Sequence, residues 1–240
     1  MTGDEFFNEV SIFDTPEEKF VRRIAPEEAY PFLFKIHYAR RKPCITDAFG
    51  LFVNGELVGV VTYGIPASMH LCIGIAGREH QHQVKELNRL CMLPQYNAAG
   101  GGRNNASYLV SHSLKMLEHG TFVVSYADTA WTHVGYIYQA CNFLYTGLSA
   151  KRTDTYQPEG KHPRSYSHAL DNSMRQTRSA KHRYIYLVGS KREKKKMRTE
   201  MLYPVLPYPK GDERQYDISD PHPEEEIKVY KKGENNGSHT

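Results

Sequence analysis

Hydrophobic positions along the chain are separated by turn signals in an order typical of a mixed α/β domain. The clearest pattern is AFGLFVNGELVGVVTYG over residues 48–64, in which two apolar runs flank Asn54-Gly55. Asn-Gly is the preferred dipeptide of a two-residue type I′ turn, so this segment predicts an antiparallel β-hairpin. A third strand is predicted over residues 84–93, where apolar residues recur in an imperfect pattern.

Helical spacing and a further buried strand follow in the second half of the chain. Apolar residues recur at helical spacing over 106–118, and Gly120 is placed to end that helix. The apolar run at 121–126 predicts a buried strand that leads to Asp128. Further predictions are a helix from Pro26 to Phe34, a second helix over about 132–141, and late strands over 143–148 and 183–188. This order predicts an α/β fold, a mixed sheet flanked by helices on both faces.

The length of 240 residues is sufficient for one substantial core. We interpret residues 1–20 as an N-terminal extension, 21–190 as the folded catalytic domain and 191–240 as a C-terminal extension that is first basic and then polar. Beyond Lys210 the chain shows no apolar period, and we expect that tail to be largely disordered.

Charge is distributed unevenly along the chain. The formal net charge is +4, but residues 151–198 carry 14 Lys/Arg against 4 Asp/Glu. Such segregation indicates a polyanionic partner, with double-stranded DNA as the leading candidate. The phosphate-binding candidates are the cationic residues of the densest stretch, Lys191, Arg192, Lys194, Lys195, Lys196 and Arg198. The alternative interpretation of this stretch is a solvated basic helix or tail.

Cysteine usage and hydropathy indicate the compartment. The four cysteines are scattered without close pairs, which favours a reducing cytoplasm over a disulfide framework. No apolar run reaches the roughly 18 residues of a membrane span, and the acidic start MTGDEFFNEV does not resemble a signal peptide. We therefore expect a cytoplasmic protein with no membrane partner.

A glycine-rich loop precedes the helix at 106–118. Backbone N–H groups at such a loop and the helix dipole favour an anion, so the loop is a candidate cofactor site for a phosphate-bearing donor. Its candidate residues are Gly100, Gly101, Gly102, Arg103, Asn104 and Asn105. The loop lacks GxxxxGK(S/T) and GxGxxG, the two established phosphate-binding glycine patterns. The alternative is a plain surface loop.

Three further residues carry candidate chemistry. His37 and Tyr38 adjoin in a polar segment, and imidazole and phenol both suit acid–base catalysis. Asp128 follows a buried strand, and the carboxyl ends of strands are where α/β sheets bind ligands. The alternatives are structural roles, with Asp128 capping the next helix.

Several short motifs resemble the Gcn5-related N-acetyltransferase (GNAT) fold. The hairpin, the ELNRL strand, the loop–helix unit and Tyr138-Gln-Ala-Cys-Asn-Phe143 occur in the order of that fold. Its Tyr-x-x-x-Gly-Phe motif matches at Tyr138 and Phe143, whereas Asn142 replaces the glycine. In that fold the tyrosine often protonates the leaving thiolate, and the resemblance implies this role for Tyr138. The usual Arg-x-x-Gly-x-Gly/Ala pyrophosphate motif is not present in that order.

More closely, the chain resembles the Mom family of bacteriophage adenine-modification proteins over roughly residues 21–210. The matching segments are Ile36–Tyr38, Gly59–Gly64, Glu86–Arg89, Val124–Asp128, Gly135–Tyr138, Arg183–Tyr186 and the stretch through Leu206–Lys210. The family converts the exocyclic amine of DNA adenine to an acetamido (carbamoylmethyl) derivative, which protects phage DNA from restriction. The resemblance implies the same activity here, in the cytoplasm of the host cell.

The resemblance also implies site residues and cofactors. His37, Tyr38, Asp128 and Tyr138 lie where the family's proposed active-site residues lie, and iron is implicated in the family, with His37 and Asp128 as the implied ligands. The donor stays open between acetyl-CoA and a related acyl donor, and a homodimer is compatible with the sequence. Because a duplex hides the amine, we expect the adenine to be flipped into a pocket. The candidate stacking residues are Tyr38, Tyr63, Tyr126 and Trp131.

Two other functions remain as alternatives. One is an ordinary acyl-CoA-dependent N-acetyltransferase that acts on a small amine or a protein. The other is a non-catalytic DNA-binding module on the same fold. Chemical change of DNA distinguishes the leading hypothesis from both.

Overall fold

The computed structural model describes residues 18–97, 104–156, 174–211, 225–226 and 228–233. In chain order the elements are β1 (Lys19–Arg23), α1 (Pro26–Lys35), β2 (Asp47–Val53), β3 (Glu56–Gly64), α2 (Met69–His80), β4 (Val84–Met92), α3 (Asn105–Lys115), β5 (Phe122–Asp128), α4 (Tyr136–Ala140), β6 (Leu144–Leu148), β7 (Arg152–Thr155), β8 (Met174–Arg178), β9 (Lys181–Leu187), α5 (Lys191–Glu200) and β10 (Val229–Lys231). Seven strands form the main sheet in the order β1-β2-β3-β4-β5-β9-β6, and a second sheet has the order β10-β8-β7.

Local turn chemistry builds the first half of the main sheet. Asn54 and Gly55 take φ values of 48° and 84°, as a type I′ turn requires, and β2 and β3 pair antiparallel across them. The predicted hairpin is therefore confirmed, as are the strands predicted at 84–93 and 121–126. β4 pairs antiparallel with β3 and parallel with β5, which makes the sheet mixed.

Helices cover both faces of this sheet, as predicted. On one face, α3 buries Leu109, Val110 and Leu114 against a cluster that includes Val61 and Phe143. On the other face, α1 packs through Ala29, Phe32 and Leu33, while α2 and α5 bury Cys72, Ile75 and Met197 against β4, β5 and β9. The described helices include none that is long and apolar enough to cross a membrane.

Two parts of the predicted element list need correction. The helix predicted over 132–141 is limited to α4, because Thr132 and Gly135 take positive φ values of 55° and 84° and interrupt helical geometry. Helix α2 was not predicted, and Gly77, with φ of 74°, breaks the pattern inside it. Most of the tail expected to be disordered lies outside the described residues, but Val229–Lys231 forms an edge strand against β8.

The feature that creates a site is a separation between two neighbouring strands. β4 and β5 pair only through Val84–Glu86 and Phe122–Val124, although both strands continue beyond these residues. An extra residue at Asn88 shifts the register between β3 and β4 just past this point, since Thr62 pairs with Arg89 and Tyr63 with Leu87. A bulge increases the local twist of a strand and changes the direction in which its side chains point. The sheet therefore opens between β4 and β5.

Candidate active site

A cavity of about 1630 Å³ occupies the opening between β4 and β5. Its walls come from the central part of β4, the segment after α1, the N-terminus of α3, helix α4 and the start of β9. Three of the four predicted catalytic residues line it: His37, Tyr38 and Tyr138. The tertiary structure thus brings together residues that are about 100 positions apart in the sequence.

His37 is positioned by the end of α1. The backbone N–H groups of Ile36 and His37 both donate to the carbonyl of Phe32, at 3.1 and 2.9 Å, and so terminate the helix. Nδ1 of His37 accepts the N–H of Ala39 at 3.0 Å, which leaves the ring proton on Nε2. Burial, followed by the nearby Arg89 guanidinium, lowers the pKa of His37 to about 3. His37 is therefore a neutral hydrogen-bond donor at physiological pH.

Tyr38 lies in an aromatic group next to His37. Its ring stacks on His37 with centroids 4.4 Å apart and contacts Trp131 at 4.7 Å. Burial and the Asp128 carboxylate raise the pKa of Tyr38 to about 12, although Arg89 and Arg41 oppose this shift. The phenol stays protonated near neutrality, so Tyr38 can donate a hydrogen bond and offer a ring face.

Asp128 is held by partners at the end of β5. Its carboxylate accepts from Nζ of Lys181, from Oγ of Ser179 and from the N–H of Ala130 at 3.1 Å. Burial favours a raised pKa, but the Lys181 ammonium and these hydrogen bonds together hold the pKa of Asp128 below its ordinary value. Asp128 is not among the described residues that line the cavity, whereas Lys181 is. The carboxylate therefore orients Lys181.

Tyr138 approaches the cavity from the opposite face of the sheet. Its ring packs on Phe143 and Tyr184, with centroids 5.3 and 5.4 Å apart. The neighbouring Tyr184 is anchored by its hydroxyl to the carbonyl of Val134. Tyr138 is thus a half-buried phenol at the cavity wall, held by aromatic packing.

Most of the predicted cofactor loop, Gly100 to Arg103, lies outside the described residues. Asn104 lines the cavity and adopts a left-handed conformation immediately before α3, with φ of 67°. Asn105 is held elsewhere, because its amide accepts from Nζ of Lys19 and donates to the carbonyl of Tyr96 at 3.0 Å. The N-terminus of α3 therefore borders the cavity at Asn104.

Charged side chains in the cavity were missed by sequence reasoning. Five of the described lining residues are cationic, and a single one, Glu86, is a carboxylate; the cations are Arg89, Arg152, Arg178, Lys181 and Arg183. Nε of Arg89 is fully buried and has no hydrogen-bond partner. A signal was present, since Glu86, Asn88 and Arg89 place three polar residues in the middle of a predicted strand. The lining therefore carries mostly positive charge, although Asp128 and Asp154 pair with Lys181 and Arg178 from outside it.

Residues 18–210 match the Mom protein family. The chain belongs to this family. No curated protein sequence matches it significantly.

Solved structures similar to this Mom family member include N-acetyltransferases. An N-acetyltransferase from Staphylococcus aureus Mu50 is 13% identical with a TM-score of 0.42, covering 72% of this chain and 99% of its own. The ribosomal-protein-S18-alanine N-acetyltransferase from Escherichia coli is 12% identical, with a TM-score of 0.41 and coverages of 72% and 96%. The yncA protein from Salmonella typhimurium, solved with its cofactor acetyl-CoA, is 10% identical, with a TM-score of 0.43 and coverages of 72% and 95%. The mixed sheet flanked by helices on both faces is the architecture predicted from the sequence.

The iron site implied for the Mom family does not fit the described residues. His37 uses Nδ1 to accept the N–H of Ala39, so its Nε2 lone pair is blocked by a proton. The Asp128 oxygens are already occupied by Lys181, Ser179 and Ala130, and an adjacent ammonium repels a metal cation. Within the described ranges no three His, Cys, Asp or Glu residues form a group that could hold a metal.

The predicted DNA-binding stretch forms helix α5. Ser190 and Glu193 cap its start reciprocally, and Met197 anchors it in the core. Lys194 lies over the Tyr186 ring and donates to its hydroxyl at 3.0 Å. The remaining cations, Lys191, Arg192, Lys195, Lys196 and Arg198, are exposed. Helix α5 therefore presents a basic surface, from which Lys194 is partly withdrawn.

The predicted stacking residues separate into three groups. Tyr38 and Tyr126 line the cavity. Trp131 supports Tyr38 by ring contact and is not itself among the described lining residues. Tyr63 is wrong as a stacking residue, because it is 0% exposed and its hydroxyl is hydrogen-bonded to Ser113 inside the core.

Proposed function

We propose that this protein transfers a small group from an activated donor to the exocyclic amine of adenine in DNA, the carbamoylmethyl (acetamido) modification of the Mom family. The product protects phage DNA from restriction. The observation that carries the proposal is the electropositive, aromatic cavity at the separation of β4 and β5 in a Mom family member. Its volume of about 1630 Å³ exceeds the roughly 300–1,000 Å³ of a typical small-ligand site, which supports a nucleotide and a donor as joint occupants.

Residues from two faces of the sheet line the cavity, and each face has its own proposed role. Tyr38 and His37, on the α1 side, supply a ring face and hydrogen-bond donors for a flipped base. Tyr138 lines the cavity on the α4 side, and its assigned role is to protonate the leaving group of the donor. Asn104 and the start of α3 border the same cavity, where backbone N–H groups favour a phosphate-bearing donor of the acyl-CoA class.

Two basic surfaces fit the DNA backbone. Arg152 and Arg178 line the cavity from the small sheet, where a phosphodiester of the flipped nucleotide meets positive charge. The exposed cations of α5 supply a second, sequence-independent contact to the duplex.

Mass spectrometry of nucleosides tests the proposal. Plasmid DNA from cells that express the protein is digested and compared with DNA from cells that carry an empty vector. We expect a new deoxyadenosine derivative with the mass of one added carbamoylmethyl group. An unmodified nucleoside profile, with acetylation of a protein or small amine instead, would identify an ordinary N-acetyltransferase. DNA binding without any chemical change would identify a binding module.

A further inference from the structure

An aromatic and cationic group lies on the cavity wall formed by β5 and β9. Tyr126 and Arg183 are direct cross-strand neighbours in this antiparallel pair, so their side chains share one face of the sheet. Tyr203, from the segment after α5, covers the Arg183 guanidinium, whose Cζ lies 3.4 Å from the centroid of the Tyr203 ring. All three side chains line the cavity, and we call them the platform.

Hydrogen bonds and packing hold the platform in place. Nε and Nη2 of Arg183 donate to Oγ1 and to the carbonyl of Thr146, both at 2.9 Å, and Thr146 is buried. The Tyr203 ring lies directly on the backbone of α2, because a Cβ at Gly74 would be only 2.7 Å from its Cζ. Tyr126 and Tyr203 also pack against the core cluster under α2 and α5. The guanidinium plane therefore has a fixed orientation before any ligand binds.

Arg183 differs from the neighbouring Lys181 in having no acidic partner. Lys181 pairs with Asp128, whereas Arg183 forms no salt bridge within the part of the chain that the structure describes. Partial burial of a guanidinium without a counter-ion costs free energy, which a ligand in contact with it can offset. Because Thr146 occupies one edge and Tyr203 covers one face, Arg183 offers a ligand its other face and its Nη1 amino group.

The chemistry of the platform matches a nucleobase. Aromatic rings and guanidinium planes are the surfaces on which proteins stack bases that have left a helix, and every base has a π-face for such a contact. A phosphate is bound by the edge of a guanidinium, and here the Nε–Nη2 edge of Arg183 is occupied by Thr146. A planar base therefore fits the platform better than a phosphate does.

The neighbours of the platform relate it to the base next to the target adenine. Tyr126 lies close enough to Glu86 and to Arg152 to interact electrostatically with both. Arg89 connects Glu86 in the same way with Tyr38, a proposed contact of the flipped adenine. Arg152 is a proposed contact of the phosphodiester. Since flipping the adenine removes a stacking partner from each adjacent base, such a base becomes available to the platform.

We propose that Tyr126, Arg183 and Tyr203 form a second nucleobase site, which stacks a base adjacent to the target adenine. This inference rests on the proposed function. The platform fixes the position of the strand while the adenine is outside the helix, and no bond to the transferred group forms or breaks there.

A phosphate contact by Arg183 makes different demands. That role needs only a positive charge, which Lys supplies, whereas stacking needs the guanidinium plane. Arg183→Lys retains the charge and removes the plane together with its hydrogen bonds to Thr146. Tyr203→Phe retains the ring of the platform, and Tyr203→Leu removes it.

The experiment measures the affinity of these variants and of the parent for altered DNA duplexes by fluorescence anisotropy. Each duplex carries one adenine at a sequence that the parent modifies in plasmid DNA, opposite a mismatched base that eases flipping. The base on the 5′ side, on the 3′ side or on neither side of this adenine is replaced by an abasic site. The variants also show how far an abasic site changes affinity without the platform.

Arg175→Lys is the matched control. Arg175 likewise donates to threonine oxygens, those of Thr153 and Thr155, but it belongs to the small sheet and lies outside the described cavity lining. Its replacement by Lys makes the same chemical change as Arg183→Lys at a position without the platform. Melting temperatures verify that each protein is folded.

We expect one of the two abasic duplexes to bind the parent about 5- to 100-fold more weakly than the intact duplex, the range that stacking of one base supplies. Arg183→Lys and Tyr203→Leu are expected to bind the intact duplex more weakly and to distinguish it less from the abasic duplexes. Tyr203→Phe and Arg175→Lys are expected to behave as the parent does.

Two results would overturn the inference. One is a folded Arg183→Lys protein with the parental preference for the intact duplex, and the other is a parent that binds both abasic duplexes as tightly as the intact one. Neither result affects the proposed function, provided that the parent modifies deoxyadenosine in plasmid DNA. A parent that leaves deoxyadenosine unmodified would overturn the proposed function and the inference with it.

Discussion

Lys181 and Asp128 face each other across the antiparallel pair of β9 and β5 and are joined by an ion pair from Nζ to Oδ2. The side chains are 26% and 10% exposed, so the pair is only partly screened by water. Because Lys181 lines the cavity and Asp128 lies behind it, the carboxylate determines where the ammonium is held.

The first prediction concerns this ion pair. Asp128→Asn leaves the Lys181 ammonium without its partner, so we expect the free energy of unfolding to fall by about 1–3 kcal/mol. Lys181→Met in the same chain removes the stranded charge and restores part of the loss. Urea denaturation of both single variants and the double variant measures the coupling energy. Additive effects of the two substitutions would contradict a coupled pair.

The second prediction concerns the Tyr138 hydroxyl. Tyr138→Phe removes only that group and retains the ring contacts with Phe143 and Tyr184. We expect adenine modification to slow by about 100-fold, because the leaving group loses its acid, while DNA affinity and melting temperature stay near those of the parent. Modification kinetics and fluorescence anisotropy on a DNA duplex test this. A near-parental rate would assign Tyr138 to packing alone.

The third prediction concerns the salt dependence of DNA binding. Lys191, Lys195 and Arg198 are exposed and recur at the i, i+4, i+7 spacing of one helical face of α5. Replacing all three by Ala is expected to reduce the slope of log K against log salt by up to about 3, since each phosphate contact releases close to one counterion.

A matched variant controls for overall charge. Lys35→Ala, Lys115→Ala and Lys232→Ala together remove the same charge from exposed positions in other segments. We expect this protein to keep the parental slope. An equal reduction in both triple variants would show that α5 acts only through the net charge of the protein.

The fourth prediction concerns the pH dependence of stability. Burial and Arg89 lower the pKa of His37 to about 3, against an ordinary value of 6.5. Between these two values the unfolded chain binds a proton that the folded protein does not, so the free energy of unfolding falls as the pH drops. We expect this residue to account for a loss of roughly 2–3 kcal/mol between about pH 7 and about pH 4.5.

A substitution isolates that contribution. His37→Asn places an amide oxygen where Nδ1 accepts the N–H of Ala39, and it has no titratable group. Urea denaturation at both pH values should therefore show a smaller decrease for this variant than for the parent. Identical decreases would show that His37 is protonated in the folded protein and is not desolvated as its burial implies.

Local chemistry made part of this fold predictable from the sequence. The β2–β3 hairpin follows from Asn54-Gly55, whose preferred backbone conformation is largely independent of the rest of the chain. The capping box of Ser190 and Glu193 at the start of α5, which was not predicted, likewise depends only on residues three positions apart. Helix α2 was not predicted, because Gly77 interrupts its helical geometry. Family motifs also identified His37, Tyr38 and Tyr138, which do line one cavity.

The sequence by itself therefore determined the order of most elements, the family and three cavity residues. Only the tertiary structure decided which carboxylate faces the cavity. Asp128 is paired with Lys181, 53 positions away, whereas Glu86 lies where β4 separates from β5. Both outcomes depend on the register between distant strands. A shift of one residue in that register turns a side chain to the opposite face of the sheet, so local patterns do not fix it.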